Sequence, residues 1–495
     1  MSIQILNTQS GLKEIFAPRN APEVKMYCCG PTVYDLLHVG NFRGAIFFNL
    51  VRNWLEHRGY KVKYIYNYTD VDDKIINRAK ERRVPPQELA QKYIVEFEAD
   101  FARLGLRRHD ANPRVSETMP GIVAMIQELI DKGQAYATEN GDVWYSVKSF
   151  PQYGKLSHRN PDDLRSGERI EPDPHKRDSL DFALWKHAKE GEPFWPAPWG
   201  KGRPGWHIEC SAMARQYLGE QVDIHGGGLD LLFPHHENEI AQSEGCHHKE
   251  YVKYWMHNNM INFAGAKMSK SLGNVFTARS FMDTYHPEIL KYLMLASHYR
   301  SVTDLSEANI EHAVKALARI YSCLALAEQV VGSTESLTEA QARDLNPEWA
   351  KLLSQAEAEI ATAMDDDFAT PQVMARLFEV VRQFNADVKS KWIPGRAAAP
   401  KSVSAALLFR NFVRQQGQWM ALYQESPAGF LQTLDNMLLL SLKISRETVE
   451  ALVQDRWAAK QARDFPRADQ LRDQLVKMGI SVMDTATGSQ WEVAK

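Results

Sequence analysis

The sequence predicts an α/β protein in which a parallel-sheet domain with an insertion precedes a helical bundle and a small mixed α/β domain. Residues 27–41 form a pattern typical of a strand that runs through a loop into a helix, and residues 61–67 form a second strand pattern. Together they predict a β-α-β unit and therefore a parallel sheet. Residues 1 to about 20 are interpreted as an entry segment. From about residue 275 onwards, segments rich in Ala, Leu and charged residues, at 307–331, 337–364, 371–390 and 403–424, predict helices joined by short loops.

The first helix is predicted by apolar residues that recur with a period near 3.6 between Phe42 and Trp54, and Gly59 ends it. A parallel sheet binds its ligand at the carboxyl ends of the strands, and a helix N-terminus at that edge favours phosphate. The segment His38–Asn41 (HVGN) at the helix start is therefore a candidate phosphate site. A histidine and a glycine also occur at this place by chance in many α/β proteins.

Composition restricts the class of protein without revealing its partners. Hydrophobic residues are 44% and charged residues 24% of the 495 residues, an ordinary globular mixture. The net charge of −3 does not indicate RNA binding, although a local basic face would still allow it. The sequence has no apolar run of 18 residues and no targeting pattern at its N-terminus, so we expect a cytoplasmic protein without a membrane span.

The cysteines are few and odd in number, which favours metal binding or burial over a disulfide framework. They are Cys28, Cys29, Cys210, Cys246 and Cys323. Cys28 and Cys29 are adjacent on a predicted strand, so they point to opposite faces and only one of them can reach a given site.

A second motif lies far downstream of the first. The segment Lys267–Ser271 reads KMSKS, and together with His38–Asn41 it resembles the two signatures of class I aminoacyl-tRNA synthetases, HIGH and KMSKS. Three longer stretches, at residues 29–35, 205–213 and 233–239, resemble the cysteinyl-tRNA synthetase family more closely. The resemblance extends from about residue 20 to the C-terminus, and motifs of this length do not arise by chance.

The resemblance implies a Rossmann-like catalytic domain and a division of the chain into five parts. These are the first half of the catalytic domain (1–115), an inserted connective domain that meets the tRNA acceptor end (116–200), the second half with the KMSKS loop (201–305), a tRNA-binding helical bundle (306–445) and a small anticodon-binding domain (446–495). The pattern of the insertion predicts a helix over 119–132 and a hairpin that turns at Asn140–Gly141. Residues 455–477 carry six basic residues against four Asp, which suits RNA but is also typical of a solvated helix.

The family pattern implies a metal site built by Cys29, Cys210, His235 and Glu239. His235 and Glu239 are spaced i, i+4 on a predicted helix and so share one face. Of the two adjacent cysteines, the family pattern selects the one before Gly30, although the family usually has an apolar residue where this chain has Cys28. Thiolate, imidazole and carboxylate ligands suit one zinc ion per chain.

The resemblance implies a cysteine–tRNA ligase that uses ATP to form cysteinyl-adenylate and then transfers the cysteinyl group to the 3′ end of tRNA(Cys), with zinc selecting the substrate thiolate. The implied catalytic residues are His38, Asn41, Lys267 and Lys270. The implied ATP-binding residues are His38, Gly40, Asn41, Gly227, Asp230 and Lys270, and the amino-acid-binding residues are Gly30, Thr69 and Trp206. We expect Mg²⁺ to accompany ATP and the protein to be a monomer.

Two other functions are compatible with the same core. One is a cysteine ligase of the mycothiol type, which has an amino-sugar acceptor but a short C-terminal region, whereas this chain continues from Asp304 to Lys495. The other is a non-catalytic RNA-binding paralogue, a class that typically lacks His38 or Lys270, both of which are present.

Overall fold

A computed structural model of the chain describes residues 2–160, 174–263, 266–267, 276–332, 337–393, 395–485 and 488–494. The chain divides into two compact units. The first comprises Met1–Arg279, Ser297–Thr303 and Met364–Ala369, and the second comprises Ser280–Ala296, Asp304–Ala363 and Thr370–Lys495. The predicted fold class is confirmed, because the first unit contains a parallel sheet and the second is mainly helical.

The strands are β1 (Gln4–Asn7), β2 (Leu12–Ile15), β3 (Glu23–Cys28), β4 (Lys61–Tyr66), β5 (Ala135–Ala137), β6 (Val143–Tyr145), β7 (Phe182–His187), β8 (Gly202–Pro204), β9 (Val222–Gly228), β10 (Val252–Asn258), β11 (Ile261–Phe263), β12 (Ala266–Lys267), β13 (Thr303–Asp304), β14 (Ile480–Asp484) and β15 (Ser489–Val493). The α-helices are α1 (Asn41–His57), α2 (Asp73–Arg82), α3 (Pro86–Arg103), α4 (Met119–Asp131), α5 (Trp206–Leu218), α6 (Glu237–His247), α7 (Ala278–Thr284), α8 (Pro287–Ala296), α9 (Glu307–Val331), α10 (Glu339–Leu345), α11 (Pro347–Asp365), α12 (Thr370–Asp387), α13 (Pro400–Met420), α14 (Pro427–Leu442), α15 (Arg446–Gln461) and α16 (Phe465–Lys477).

The central sheet has the strand order β10-β9-β3-β4, and each of its strand pairs is parallel. Cys28, the last residue of β3, lies opposite Tyr66 at the end of β4 and Gly226 near the end of β9. Because parallel strands end at one edge, the loops that follow all three strands meet there. A Cβ on Gly226 would lie 2.2 Å from the Phe48 ring, so the absence of a side chain lets α1 pack directly on β9.

The predicted β-α-β unit is confirmed. Helix α1 begins at Asn41 and ends at His57, and the chain turns at Gly59 with a φ of +91° before β4 begins. The predicted helix and hairpin of the insertion are also present as α4 and as the β5–β6 pair, with Gly141 at a φ of +89° in the turn. Strands β7 and β8 extend this hairpin to a four-stranded antiparallel sheet.

Two segments differ from the sequence-based prediction. The first 20 residues, which the sequence indicates only as an entry segment, contain the β1–β2 hairpin. Residues 337–364, which the pattern predicts as one helical segment, form α10 and α11 with a break at Asn346–Pro347. The break follows from Pro347, because proline is well tolerated in the first turn of a helix and disfavours helical backbone in the preceding residue.

The second unit has an aromatic and aliphatic core between its helices. The rings of Tyr321 and Phe430 stack at 3.8 Å, and those of Phe384 and Phe409 stack at 4.2 Å. At the C-terminal end, α15, α16 and the β14–β15 hairpin share a smaller core with α14, formed by the buried residues Leu439, Val449, Val453, Leu475, Ile480 and Val493. Among the described residues, none of the helices has the length and apolar character needed to span a bilayer.

Candidate active site

A cavity of about 410 Å³ opens at the edge where the strands of the central sheet end. Eleven of the predicted site residues line it, and they are Cys29, Gly30, His38, Gly40, Asn41, Thr69, Trp206, Cys210, Gly227, Asp230 and His235. Glu239 lies beside Cys29 with its Oε1 3.3 Å from Sγ. The cavity therefore combines a cluster of metal-type ligands with the N-terminal end of helix α1.

The four predicted metal ligands lie close together. Cys29 follows β3, Cys210 lies on α5, and His235 and Glu239 lie on consecutive turns that lead into and form α6. The Sγ atoms of Cys29 and Cys210 are 3.6 Å apart, and Cys29 Sγ is 3.4 Å from His235 Nε2. His235 Nε2 is 3.1 Å from Glu239 Oε1, as expected for an i, i+4 pair. One donor atom from each of the four residues lies within 4.8 Å of the other three.

These distances fit a tetrahedral zinc site. Bonds of about 2.0–2.3 Å to zinc give donor–donor edges of roughly 3.3–3.8 Å, which the separations of 3.1–3.6 Å match to within a few tenths of an ångström. A hydrogen bond from Cys29 lowers the pKa of the Cys210 thiol to about 6, while burial raises the pKa of Cys29. Of the two thiols, Cys210 therefore loses its proton more readily, and the thiolate is the form of cysteine that binds a metal ion.

Histidines that the sequence-based prediction omitted surround this cluster. His225 Nε2 lies 3.5 Å from both Cys29 Sγ and Glu239 Oε1, so Cys29, His225, His236 and Glu239 form a second convergent set of donors. His207 Nδ1 lies 3.0 Å from His235 Nδ1. This contact orients the His235 ring so that its other nitrogen, Nε2, faces Cys29 and Glu239. His225 directly precedes the glycines at the end of a predicted strand, and this position could have indicated from the sequence that it lies near the site.

The residues predicted to bind the amino acid lie next to the metal cluster. The backbone N–H of Gly30 donates to Asn67 Oδ1 at 2.9 Å, and a Cβ on Gly30 would lie 1.6 Å from the Asn67 carbonyl oxygen. Thr69 Oγ1 donates to Glu209 Oε2 at 3.3 Å. The Trp206 ring stacks on the His235 ring at 4.5 Å. This half of the cavity can hold a small polar molecule against the cluster.

Five of the residues predicted to bind ATP, namely His38, Gly40, Asn41, Gly227 and Asp230, line the other half of the cavity. Gly40 precedes α1, and the backbone N–H groups of Asn41, Phe42 and Arg43 donate to the carbonyl oxygens of His38, Val39 and Gly40. Asn41 Oδ1 accepts a hydrogen bond from the backbone of His38 at 3.2 Å. Gly227 lies against the His236 ring, since a Cβ on this glycine would be 2.8 Å from a carbon of that ring. Asp230 lies on the helical turn that follows β9.

Of the two lysines predicted to be catalytic, only Lys267 lies within the described residues. Lys267 ends β12, which pairs antiparallel with β11. Strand β11 begins at Ile261, which lines the cavity. Lys270 lies outside the described residues.

Comparison with known proteins agrees with this geometry. Residues 15–315 match the family of tRNA synthetases class I (C) catalytic domains, residues 359–424 match the DALR domain, and residues 446–491 match the cysteinyl-tRNA ligase anticodon binding domain. A cysteine–tRNA ligase of Bdellovibrio bacteriovorus is 54% identical over 493 residues and is covered completely, as is this chain. The chain belongs to the cysteine–tRNA ligase family. A family member from Geobacter sulfurreducens is 43% identical, again over the full length of both chains.

Solved structures of other class I synthetases share the fold. Methionyl-tRNA synthetase of Mycobacterium tuberculosis in complex with methionyl-adenylate superposes with a TM-score of 0.59 and covers 86% of this chain and 94% of its own. A putative arginyl-tRNA synthetase from Campylobacter jejuni gives a TM-score of 0.57, with 81% and 94% coverage. At 13% and 14% identity, these two show the fold alone.

Proposed function

We propose that the protein activates cysteine with ATP to cysteinyl-adenylate and transfers the cysteinyl group to the 3′ end of tRNA(Cys). The observation that carries this proposal is the convergence of Cys29, Cys210, His235 and Glu239 at one end of a cavity whose other end is the N-terminus of α1. A soft-metal cluster beside a phosphate site suits a substrate that has a thiol and reacts with ATP. The family match of residues 446–491 supports an RNA acceptor.

We propose that the cluster holds one zinc ion. Zinc bound by these residues would hold the substrate sulfur as a thiolate. Serine differs from cysteine by oxygen in place of sulfur, and an apolar pocket rejects such an isostere only weakly. Trp206, which stacks on His235, forms a wall of the amino-acid pocket in this proposal, and Gly30 and Thr69 contact the backbone of cysteine.

The residues at the start of α1 act on the phosphates in this proposal. The substrate carboxylate attacks the α-phosphate of ATP, and pyrophosphate leaves. His38 and Asn41 bind the phosphates at the start of α1, while Gly40 makes room for the nucleoside. Gly227 and Asp230 receive the ribose, Lys267 and Lys270 neutralise the leaving pyrophosphate, and Mg²⁺ accompanies ATP. Catalysis then depends on alignment and charge stabilisation, without a protein nucleophile.

We propose that the remaining parts of the chain bind tRNA. The connective domain at residues 116–200 meets the acceptor end, the helical bundle at 306–445 binds tRNA, and residues 446–495 read the anticodon. We also predict that the protein is a monomer and that it is located in the cytoplasm.

The experiment that tests the proposal is cysteine-dependent ATP–pyrophosphate exchange, followed by charging of total tRNA, with serine as the control amino acid. Exchange with cysteine but not serine, together with charging of tRNA(Cys), is the expected result. Exchange without charging, accompanied by ligation of cysteine to an amino sugar, would favour the mycothiol-type ligase. RNA binding without exchange would favour the non-catalytic paralogue.

A further inference from the structure

Arg43 is a buried cation in the first turn of helix α1, two residues after Asn41. Its side chain is almost completely buried, with 1% of the residue exposed. Within the described part of the chain, the hydrogen bonds of its guanidinium end on backbone carbonyl oxygens. Nη1 donates to Met260 O at 2.7 Å, and Nη2 donates to the carbonyl oxygens of His298, Tyr299 and Ser301. The two nitrogens therefore join α1 to two other segments of the same unit.

Burial of a cation among neutral carbonyls carries a desolvation cost that an apolar residue would avoid. Burial lowers the pKa of Arg43 to about 10, so the guanidinium stays charged at neutral pH. A planar fork of donors can hold several carbonyls at fixed directions, which neither an apolar residue nor lysine can do. The contacts of Arg43 therefore indicate a role in fixing the relative position of these segments.

One of the segments is a wall of the cavity. Residues Asn258–Ile261 line it together with Gly40 and Gly44 of α1, and a Cβ on Gly44 would lie 3.1 Å from Asn258 Oδ1. The backbone of this wall is joined to the second segment, because Asn259 N donates to Tyr299 O at 2.8 Å and Thr303 N donates to Met260 O at 3.2 Å. Strand β11 begins in the wall at Ile261 and leads through β12 to Lys267.

We propose that Arg43 is a positioning residue for ATP, which holds the wall at 258–261 at the correct distance from the N-terminus of α1. The wall and the helix start then form the two sides of the nucleotide half of the cavity. The same contacts set where β11 begins and therefore where the strand leading to the KMSKS segment starts. This inference rests on the function proposed above, since it assigns ATP to this half of the cavity.

The test is Arg43→Lys, which keeps the charge but concentrates its donors on one nitrogen. A single ammonium nitrogen cannot donate to the Met260 carbonyl and to the carbonyls of residues 298–301 in the directions that the two guanidinium nitrogens allow. We expect kcat/KM for ATP in the exchange reaction to fall about 10- to 100-fold. A loss of this size is typical when substrate-positioning groups move by up to about 1 Å. KM for cysteine and the zinc content should stay within twofold, because the metal cluster lies at the other end of the cavity.

Arg52→Lys is the matched control. Arg52 lies nine residues further along the same helix, is fully buried, and donates to the carbonyl oxygens of Arg107 and Arg108 at 2.7 Å each. Those carbonyls belong to no residue that lines the cavity. We expect Arg52→Lys to lower the unfolding temperature to a similar extent and to leave KM and kcat for ATP unchanged.

Equal effects of the two variants on ATP kinetics, or unchanged ATP kinetics in Arg43→Lys, would overturn the proposal. If Arg43→Lys does not fold, Phe47→Leu tests the same segment more mildly, because the Phe47 ring stacks on Tyr299 at 4.2 Å. It should raise KM for ATP about two- to fivefold and leave KM for cysteine unchanged; no change in either KM would also overturn the proposal. A wild-type protein without any exchange activity would instead refute the proposed function itself.

Discussion

Replacing Cys210 by serine should remove most of the bound zinc. The hydroxyl is a poor zinc ligand, so three of the four donors would remain. Structural zinc sites bind with about 10–16 kcal/mol shared among four ligands, or roughly 2.5–4 kcal/mol for each. Because the donor separations of 3.1–3.6 Å indicate a full set of four, Cys210→Ser should weaken zinc binding about 10²- to 10³-fold.

The measurement is zinc per chain by mass spectrometry of the metal after dialysis against a chelator of graded concentration. Cys28→Ser is the control, since Cys28 is adjacent to Cys29 in the chain but belongs to neither of the two convergent donor sets. It should keep about one zinc per chain. A doubly substituted Cys29→Ser, Cys210→Ser protein that retains full zinc would refute the assignment of this cluster. If the single variant Cys210→Ser retains zinc, the result would favour the second donor set, which contains His225 and lacks Cys210.

Three further predictions concern other parts of the chain. Lys270→Ala should slow pyrophosphate exchange about 10²- to 10³-fold while cysteine binding, measured by calorimetry, stays the same; an unchanged exchange rate would exclude Lys270 from the mechanism. Removal of the chain from Thr448 onwards should leave exchange intact and lower charging through weaker tRNA binding, with a shallower dependence of affinity on salt; normal charging by the folded truncated protein would contradict the anticodon role. The hydrogen bond from Arg456 holds the pKa of Asp484 well below its usual range, so the stabilisation it contributes is complete above the unfolded pKa of about 3.9 and is lost as the pH falls below that value. Asp484→Asn should therefore lower stability at pH 7 and flatten the acid dependence of unfolding between about pH 4 and pH 2, whereas parallel acid curves for the two proteins would show that this pair contributes nothing.

Much of the fold was predictable because local patterns and tertiary structure agree. The period of the apolar residues in α1, the glycine at its end and the Asn140–Gly141 turn each specify one backbone geometry. The β1–β2 hairpin was not predicted because its strands have four residues each, and β2 is largely exposed, so no apolar alternation marks it.

The site was predictable only in part for a different reason. His235 and Glu239 share a helix face by their spacing, but nothing local relates them to Cys29 or Cys210, which the family pattern supplied. Arg43 has no sequence signal as a site residue, because an arginine near the start of a helix is ordinarily solvated. Its contacts with Met260 and Ser301 depend on carbonyl oxygens more than 200 residues away, and any residue type could provide them.

The position of β3 in the sheet has a consequence for synthesis of the chain. Strand β3 lies between β4 and β9, so one of its edges stays unpaired until residues 222–228 have been made. The first 200 residues thus contain an incomplete sheet with an open edge, which is prone to pairing with other chains. The proposed metal ligands span residues 29 to 239, so a metal ion can bind to the full set only after that edge has been covered. Metal uptake would then mark the moment at which the nascent chain has passed its most aggregation-prone stage.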